Sequence, residues 1–404
     1  MINVVIFNGG RGAGTILPAL QNIENINITS IVNAYDDGKS TGEIRRFFNM
    51  LGPSDIRKVQ QLMLPKNDQD YEVNDWIFEY RFPKNVSSNL IRNELIKEIH
   101  STKKIFYGKV FKNKDTLKEI RFFLKIFLNN LQLIEKGTRH KNFNFQDCSL
   151  VNCIYAGAFI HHKRNIEFAS LGIEKLFNLT GSVIPTNLEN KKLVGMRKNG
   201  EMLYSEAEIV ELRSNVSIDR VYLVDDYPDK KFFEKLNTEE KKSYLKYHQT
   251  YVECSSRATL AVKSADIIIY SAGTQHSSLY PTYMTRGLGR TIAENKKALK
   301  FFISNIGADY ETPKYKAHNY VDGAYKYLCL SGPSNFDIKE LFTHVLINKS
   351  SGQDRINYVK ILTKPLNKLP LKIFIDDYES INQPGKHDGS KLAKKIISIY
   401  KKTF

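Results

Sequence analysis

The chain has 404 residues, of which 42% are hydrophobic, so it can bury one large core or two ordinary ones and is not of the disordered class. Its formal net charge of +17 suggests an anionic partner, although lysines on solvated helix surfaces are the commoner cause of such an excess. The four cysteines show neither CxxC spacing nor an accompanying histidine pattern, which argues against a disulfide framework and a zinc site. No apolar stretch approaches the ~18 residues of a membrane span and no secretory leader is evident, so we expect a cytoplasmic protein.

The amino-terminal part of the chain predicts a β-α-β unit. Val4–Phe7 is a short apolar strand pattern, 9–14 is a glycine-rich loop, 15–20 opens a helix, and Ile26–Val32 is a second apolar, β-branched strand. Parallel strands joined in this way need right-handed crossovers and helices on both faces. The prediction is therefore an α/β fold with a three-layer, doubly wound, mostly parallel Rossmann-like sheet.

Residues 71–146 interrupt this pattern with a helical, charged and aromatic stretch that we interpret as an insertion into a single domain spanning 1–404. Within it, the segment 101–145 interleaves many Lys and Arg with Phe, Leu and Ile at helical spacing. An amphipathic helix with a basic outer face is the preferred interpretation, over a nucleic-acid or membrane surface. A nucleic-acid partner is not favoured, because no recognised nucleic-acid module accompanies the charge.

Beyond the insertion the sheet is expected to resume. Helices are predicted at 151–161, 172–179 and 390–402, and strands at 182–185, 192–196, 220–224, 265–270, 300–306 and 371–376.

The glycine loop after the first strand contains Gly9, Gly10, Arg11 and Gly12. Glycines between a strand and a helix start create an anion site, because free backbone N–H groups and the positive helix end face the same ligand. A dinucleotide site of the GxGxxG type is disfavoured, since Thr15 stands where the third glycine should be.

Two adjacent acids, Asp36 and Asp37, follow the second strand and should lie at the carboxyl edge of the sheet, where ligands bind in open α/β sheets. A tight turn would explain them equally well in isolation. Polar residues that follow favour a site: Ser40, Thr41, Asp55 and Arg57. Paired carboxylates can hold Mg²⁺ against phosphate oxygens or deprotonate a hydroxyl, while the hydroxyls and the arginine can bind the phosphate.

A third loop, 271–281, follows the strand at 265–270 and is rich in small and hydroxyl residues. Its candidate phosphate or sugar ligands are Gly273, Thr274, Ser277 and Ser278. An ordinary polar connection is the alternative interpretation.

In combination these motifs resemble those of the CofD/YvcK superfamily. The resemblance rests on Gly9-Gly10-Arg11-Gly12, Asp36-Asp37-Gly38-x-Ser40-x-Gly42, Pro53-x-Asp55-Ile56-Arg57, and the hydroxyl loop after Ala265-Asp266-Ile267-Ile268. Asn152 also matches a position that opens a buried helix in the family. The chain departs from the family where Lys39 replaces a glycine, where Val151 replaces the glycine before Asn152, and where Ser271-Ala272-Gly273 replaces Gly-Pro-Gly or Gly-Pro-Ser.

The resemblance implies a nucleotide diphosphate or nucleotide-sugar ligand at the carboxyl ends of the strands. In the transferase branch a phosphorylated group moves from a nucleotide-linked donor to a hydroxyl, with Mg²⁺ on the phosphates. Asp36 and Asp37 would then lie beside the acceptor or the metal, and Asn152 would help to hold the nucleotide. The alternative is a non-catalytic regulator of carbon metabolism or cell-envelope synthesis that binds a UDP-sugar. A homo-oligomer is compatible with either.

Overall fold

The computed structural model describes residues 1–10, 12–137, 142–330, 336–349 and 357–404. Its strands are β1 Ile2–Phe7, β2 Ile26–Val32, β3 Ile105–Phe106, β4 Lys109–Val110, β5 Ser182–Pro185, β6 Lys192–Arg197, β7 Met202–Leu203, β8 Ile218–Val224, β9 Ile267–Tyr270, β10 Leu299–Ile303, β11 His344–Asn348 and β12 Lys372–Asp376. Its helices are α1 Ala13–Gln21, α2 Lys39–Phe48, α3 Ser54–Leu62, α4 Tyr71–Glu79, α5 Ser88–His100, α6 Lys114–Gly137, α7 Leu150–His161, α8 Ile166–Leu176, α9 Glu206–Glu211, α10 Lys230–Phe233, α11 Thr238–Tyr247, α12 Ser256–Ser264, the π-helix Gln275–Leu279, α13 Tyr280–Tyr283, α14 Leu288–Glu294, α15 Ala317–Leu330, α16 Ile338–Leu341, α17 Thr363–Leu366 and α18 Gly389–Thr403.

A seven-stranded sheet of order β12-β11-β10-β9-β1-β2-β5 forms the centre of the fold, and its neighbouring strands pair in parallel. The central strands are near-continuous apolar runs, as a sheet covered by helices on both faces requires. In β1, for example, the four residues from Val4 to Phe7 are all buried. The predicted α/β class with a doubly wound, mostly parallel sheet is confirmed.

The direction of winding reverses between β1 and β9. From β1 the chain proceeds outward through β2 to β5, and it later returns to the other side of β1 with β9 and continues outward to β12. The loops that leave β1 and β9 therefore diverge, which opens a crevice at the carboxyl edge of the sheet.

Two of the predicted strands belong to a different sheet. β6 and β8 pair antiparallel, and β7 extends them into a separate three-stranded sheet of order β7-β6-β8. Our expectation that these strands continue the central sheet is wrong. Strand β11, which the sequence pattern did not reveal, completes the parallel sheet between β10 and β12 instead.

The described part of residues 71–146, the predicted insertion, is mainly helical and contains α4, α5, a short β3-β4 hairpin and α6. The apolar stripe of α6 is buried and faces α7, whereas most of its charged side chains are exposed. Gly157 of α7 allows the two helices to approach, because a Cβ atom at this position would lie 1.9 Å from the carbonyl oxygen of Phe123. In the part of the chain that the structure describes, no helix has the length and apolar character of a membrane span.

Replacing Gly157 with alanine should destabilise the protein by about 1–3 kcal/mol, the usual cost of overpacking, since its clash is with backbone rather than with a side chain that can rotate. Gly14→Ala is the matched control. Gly14 is exposed in α1, and an added Cβ there would have no neighbour within 4 Å. Alanine should therefore be neutral or slightly stabilising at this position. Equal melting temperatures for the two variants would contradict the α6–α7 packing.

Candidate functional site

A cavity of about 620 Å³ lies at the carboxyl edge of the central sheet. It is lined by residues of the loops after β1, β2, β9 and β10, by α3 and α9, and by the segment before α18. Among the predicted site residues it is lined by Gly9, Gly10, Gly12, Asp36, Ser40, Thr41, Asp55, Gly273, Thr274, Ser277 and Ser278. Three loops that are far apart in the sequence thus meet at one place.

Three helices begin at this cavity: α1 after Gly12, α2 after Gly38 and α3 after Pro53. None of the three receives a hydrogen bond from the side chain of its N-cap residue. The first N–H groups of a helix lack intrahelical partners and carry a partial positive charge. Their convergence creates an environment that favours a negatively charged ligand.

The glycine loop lies directly against the hydroxyl loop. A Cβ atom on Gly12 would lie 2.6 Å from the carbonyl oxygen of Ala272, and one on Gly9 would lie 2.6 Å from the Cβ atom of Ser278. Only glycine fits at either position without displacing the neighbouring loop. The glycines therefore allow the two loops to approach each other, and they also leave backbone N–H groups accessible to a ligand.

Hydrogen bonds from two asparagines fix the hydroxyl loop. Asn33, just after β2, donates to the carbonyl oxygen of Ser278 at 2.6 Å. Asn305, just after β10, donates to the carbonyl oxygen of Gly273 and accepts from its N–H, each at 3.0 Å. The loop is therefore held from both sides of the switch point.

The buried carboxylate of Glu311 holds the π-helix Gln275–Leu279 in place. This short helix lies within the segment that we predicted to be a loop. The carboxylate accepts hydrogen bonds from the N–H groups of His276 and Ser277 at 2.7 and 3.1 Å, and from the Ser277 hydroxyl at 2.6 Å. Burial, together with the nearby Asp309 carboxylate, raises the pKa of Glu311 to about 7.

His276 is buried in the same loop, and neither ring nitrogen has a hydrogen-bond partner among the described residues. Burial, followed by the positive charges of Lys326 and Arg197, lowers its pKa to about 3. The imidazole is therefore neutral at physiological pH, and its edge packs against the ring of Tyr280. These surroundings favour a packing role over proton donation.

The two adjacent acids have different environments. Asp36 lines the cavity, and among the described residues only its Oδ1 atom is engaged, by the N–H of Gly38 at 3.0 Å. Asp37 is not among the lining residues, and both of its carboxylate oxygens accept hydrogen bonds: Oδ1 from the N–H of Ala207 at 3.1 Å and Oδ2 from the Tyr227 hydroxyl. Asp36 is thus the acid that is available to a ligand.

Glu206 is an acid of the cavity that sequence reasoning missed. It is buried at the start of α9, and its Oε2 lies 3.4 Å from the N–H of Asp37. Burial and the nearby carboxylates of Asp36, Asp55 and Asp37 raise its pKa well above the usual range. Ser205, the N-cap whose side chain accepts from the N–H of Glu208, is a sequence signal for the start of this helix. No signal in the sequence shows that the antiparallel sheet carries the helix to the cavity.

Basic side chains also line the cavity: Lys39, Lys58, Arg81 and Lys386. Lys58 forms an ion pair with Asp55 at 3.2 Å, and the Arg81 guanidinium donates to the carbonyl oxygen of Asp147 at 2.8 Å. The wall thus contains both acidic and basic groups around the three helix starts, and one acid and one base are paired with each other.

Two predicted ligand residues are placed behind the cavity wall rather than on it. The Arg57 guanidinium is buried in α3 and donates to the carbonyl oxygen of Phe78 at 3.0 Å. Asn152 is buried in α7 and donates to the hydroxyls of Ser40 and Thr41 at 3.3 and 3.4 Å. Asn152 thus supports two residues of the cavity wall, whereas Arg57 bonds to α4. Arg11 lies outside the described residues.

Lys39, which replaces the family glycine, adopts a left-handed backbone conformation with φ of 43°. Such a conformation is strained for a residue with a side chain and unstrained for glycine. A glycine in the turn between Gly38 and α2, as the family resemblance implies, would adopt this conformation without strain.

A magnesium site is supported only in part by these side chains. Within the described ranges, no group of three or more His, Cys, Asp or Glu residues is arranged to hold a metal ion. Mg²⁺ is, however, often bound by one or two carboxylates together with phosphate oxygens of the ligand. Asp36 has a free oxygen for that role, and Asp37 does not.

The parallel sheet with its cavity at the switch point defines a doubly wound α/β protein. The family model for 2-phospho-L-lactate transferase CofD matches residues 4–119 and 149–368, so the chain belongs to the CofD family. The match includes residues 71–119 of the predicted insertion, and the unmatched residues 120–148 begin within it and end two residues beyond it. The resemblance to the CofD/YvcK superfamily is confirmed.

Curated relatives of this chain are named as gluconeogenesis factors. A Clostridium acetobutylicum protein named "putative gluconeogenesis factor" is 22% identical over 98% of this chain and 68% of its own length. A Thermotoga maritima protein of the same name is 23% identical over 81% of this chain and 76% of its own. A crystal structure of a Bacillus halodurans protein of the UPF0052 family has a TM-score of 0.67 at 18% identity, and covers 98% of this chain and 100% of that one. This last likeness shows the fold alone.

Lys39→Gly should stabilise the protein by up to about 1 kcal/mol, because it removes the left-handed strain. Lys39→Ala, which deletes the same charge but keeps the Cβ atom, should not. Chemical denaturation of both variants measures the difference. An equal effect of the two substitutions would show that charge, not backbone conformation, governs this position.

The neutral state of His276 should make stability depend on pH. Between pH 6.5 and about 3 only the unfolded chain binds a proton at this histidine. The contribution of the neutral imidazole to the free energy of unfolding is therefore fully present above pH 6.5 and is lost as the pH falls. From pH 7.5 to pH 5 the wild type should lose about 2 kcal/mol more of its unfolding free energy than His276→Gln does.

His100→Gln, at an exposed position at the end of α5, is the control and should follow the wild-type curve. Denaturant titrations at both pH values provide the comparison. Parallel curves for the wild type and His276→Gln would contradict the assignment of a buried neutral imidazole.

Proposed function

We infer that this protein binds a nucleotide-linked diphosphate in the cavity and transfers the phosphorylated group of that ligand to a hydroxyl acceptor. The observation that carries the proposal is the convergence of three helix starts, without N-cap side-chain bonds, on one cavity at the switch point. Adjacent phosphates need several N–H donors and positive potential at once, and this arrangement supplies both. The volume of about 620 Å³ suits a ligand of nucleotide size.

The chemistry follows from the position of Asp36. The acceptor hydroxyl attacks the phosphorus of the group to be transferred, and its proton passes to the Asp36 carboxylate. The bond from that phosphorus to the bridging oxygen breaks, and the nucleoside monophosphate leaves with the electron pair. Helix N–H groups and the side chains of Lys39 and Lys58 would stabilise the charge that moves onto the leaving oxygen.

Mg²⁺ is an alternative occupant of the Asp36 carboxylate, because its one unengaged oxygen cannot both hold an ion and take the acceptor proton. In that arrangement the ion would neutralise the charge of the ligand phosphates, and Asp36 would not act as the base. Asp37 instead positions α9 and the antiparallel sheet through Ala207 and Tyr227.

Asp36→Asn should reduce product formation by 10²–10⁴-fold, the usual contribution of a general base, while nucleotide binding is retained. A thermal-shift screen over UDP, GDP and their sugar conjugates, with and without Mg²⁺, identifies the ligand first, because a ligand that binds the folded state raises the melting temperature. Turnover is then followed by mass spectrometry. Glu24→Gln removes one negative charge at an exposed position outside the cavity and should leave turnover unchanged.

Retained turnover in Asp36→Asn would contradict the assignment of the base. Absence of any melting shift across the ligand panel would contradict the binding proposal itself.

A second candidate function is ligand binding without turnover, in a regulatory protein. The bonding of both oxygens of Asp37 favours it, since a second catalytic acid is not free, and the curated relatives are named as gluconeogenesis factors rather than transferases. Prolonged incubation with the bound nucleotide sugar distinguishes the two. Recovery of intact ligand from a panel of acceptors supports the regulator, and a cleaved phosphoanhydride excludes it.

A further inference from the structure

A second cavity, of about 630 Å³, lies in the insertion. It is formed by the end of α5, the loop that follows, and the first turns of α6, and it shares no lining residue with the candidate site. Its wall consists of Ile99, Ser101, Thr102, Lys103, Lys104, Lys114, Asp115, Leu117, Lys118 and Arg121.

The wall is strongly cationic. Lys103, Lys104, Lys114 and Lys118 are exposed, and none of them forms an ion pair with any other residue that the structure describes. Asp115 is the one acid among the lining residues. Ammonium groups that share a cavity repel one another, and a bound anion would relieve this repulsion.

Arg121 holds the lysine-bearing loop in place rather than facing a ligand with free donors. Its guanidinium and Nε donate to the carbonyl oxygens of Glu98, Lys103 and Ile105 at 2.9, 3.0 and 2.9 Å. The carbonyl oxygen of Lys104 in turn accepts from the N–H of Phe111 at 2.8 Å. The backbone that carries the lysines is therefore ordered before any ligand binds, which lowers the entropic cost of binding.

We propose that this basic cavity binds a small, multiply charged anion of the oligophosphate class. Its volume is that of a small-molecule site, and Ile99 and Leu117 provide a buried apolar floor. Flexible lysines bind phosphate groups as point charges and tolerate several arrangements of them. Single-stranded nucleic acid fits less well, because the lining residues include no aromatic side chain on which a base could stack.

Limited acetylation of lysines in the full-length protein, read by mass spectrometry, tests the site locally. Inorganic tripolyphosphate is the probe. It should slow acetylation of the four cavity lysines at least several-fold and leave Lys401 and Lys402, exposed at the end of α18, unchanged. Because the readout is local, binding of the same probe at the candidate site does not disturb it. Equal acetylation with and without the probe would overturn the proposal.

Paired variants then test affinity. The triple variant Lys103→Ala, Lys104→Ala, Lys118→Ala should weaken the binding of tripolyphosphate in this cavity at least tenfold. The triple variant Lys394→Ala, Lys401→Ala, Lys402→Ala removes the same charge from exposed positions of α18 and should change it less than twofold. Equal losses in both would mean that net charge alone is responsible and would overturn the proposal.

Protection of the cavity lysines by a single-stranded oligonucleotide, but not by tripolyphosphate, would likewise overturn it in favour of a nucleic-acid surface. All of these outcomes are independent of the nucleotide screen, because the two cavities have no residue in common.

Discussion

The close approach of two backbone loops at the switch point is the constraint on which the rest of the site depends. Because Gly12 lacks a Cβ atom, the loop after β1 can lie against the carbonyl group of Ala272 in the loop after β9. That contact fixes where α1 begins. Asn33 and Asn305 then tie the second loop to the ends of β2 and β10, so four strand ends share one rigid edge. A ligand at this edge meets donors that are already oriented.

Positive and negative groups at this edge contribute to the electrostatic potential with opposite sign. Helix starts and lysines favour anions, whereas Asp36, Asp55 and Glu206 oppose them. Burial, followed by these neighbouring carboxylates, raises the pKa of the Glu206 carboxyl group, which disfavours its charged form and so reduces the opposition. Among the described residues, Asp36 and Asp55 each have a single engaged carboxylate oxygen, and Asp55 is ion-paired with Lys58, so the proposed chemistry assigns the base to Asp36.

The sequence predicted what depends on local pattern and missed what depends on packing. Apolar runs ending in polar residues correctly placed the glycine loop, Asp36 and the hydroxyl loop at one edge, because parallel strands bring their carboxyl ends together. Arg57 has the chemistry of a phosphate ligand, but it lies on the inner face of α3, and burial there lowers its pKa. The register of helix α3 decides which face carries Arg57, and the motif Pro53-x-Asp55-Ile56-Arg57 alone does not show it.

Glu206 could not be predicted for a different reason. Its position depends on an antiparallel sheet whose strands have the same apolar pattern as strands of the central sheet. The single domain with an insertion at 71–146 stays a prediction.

Amide hydrogen exchange with a saturating nucleotide ligand tests the central claim most directly. UDP- and GDP-linked sugars should slow exchange together at the starts of α1, α2 and α3, since all three helix starts would bind one diphosphate. Slowed exchange elsewhere, with these three segments unchanged in the presence of bound ligand, would contradict the account.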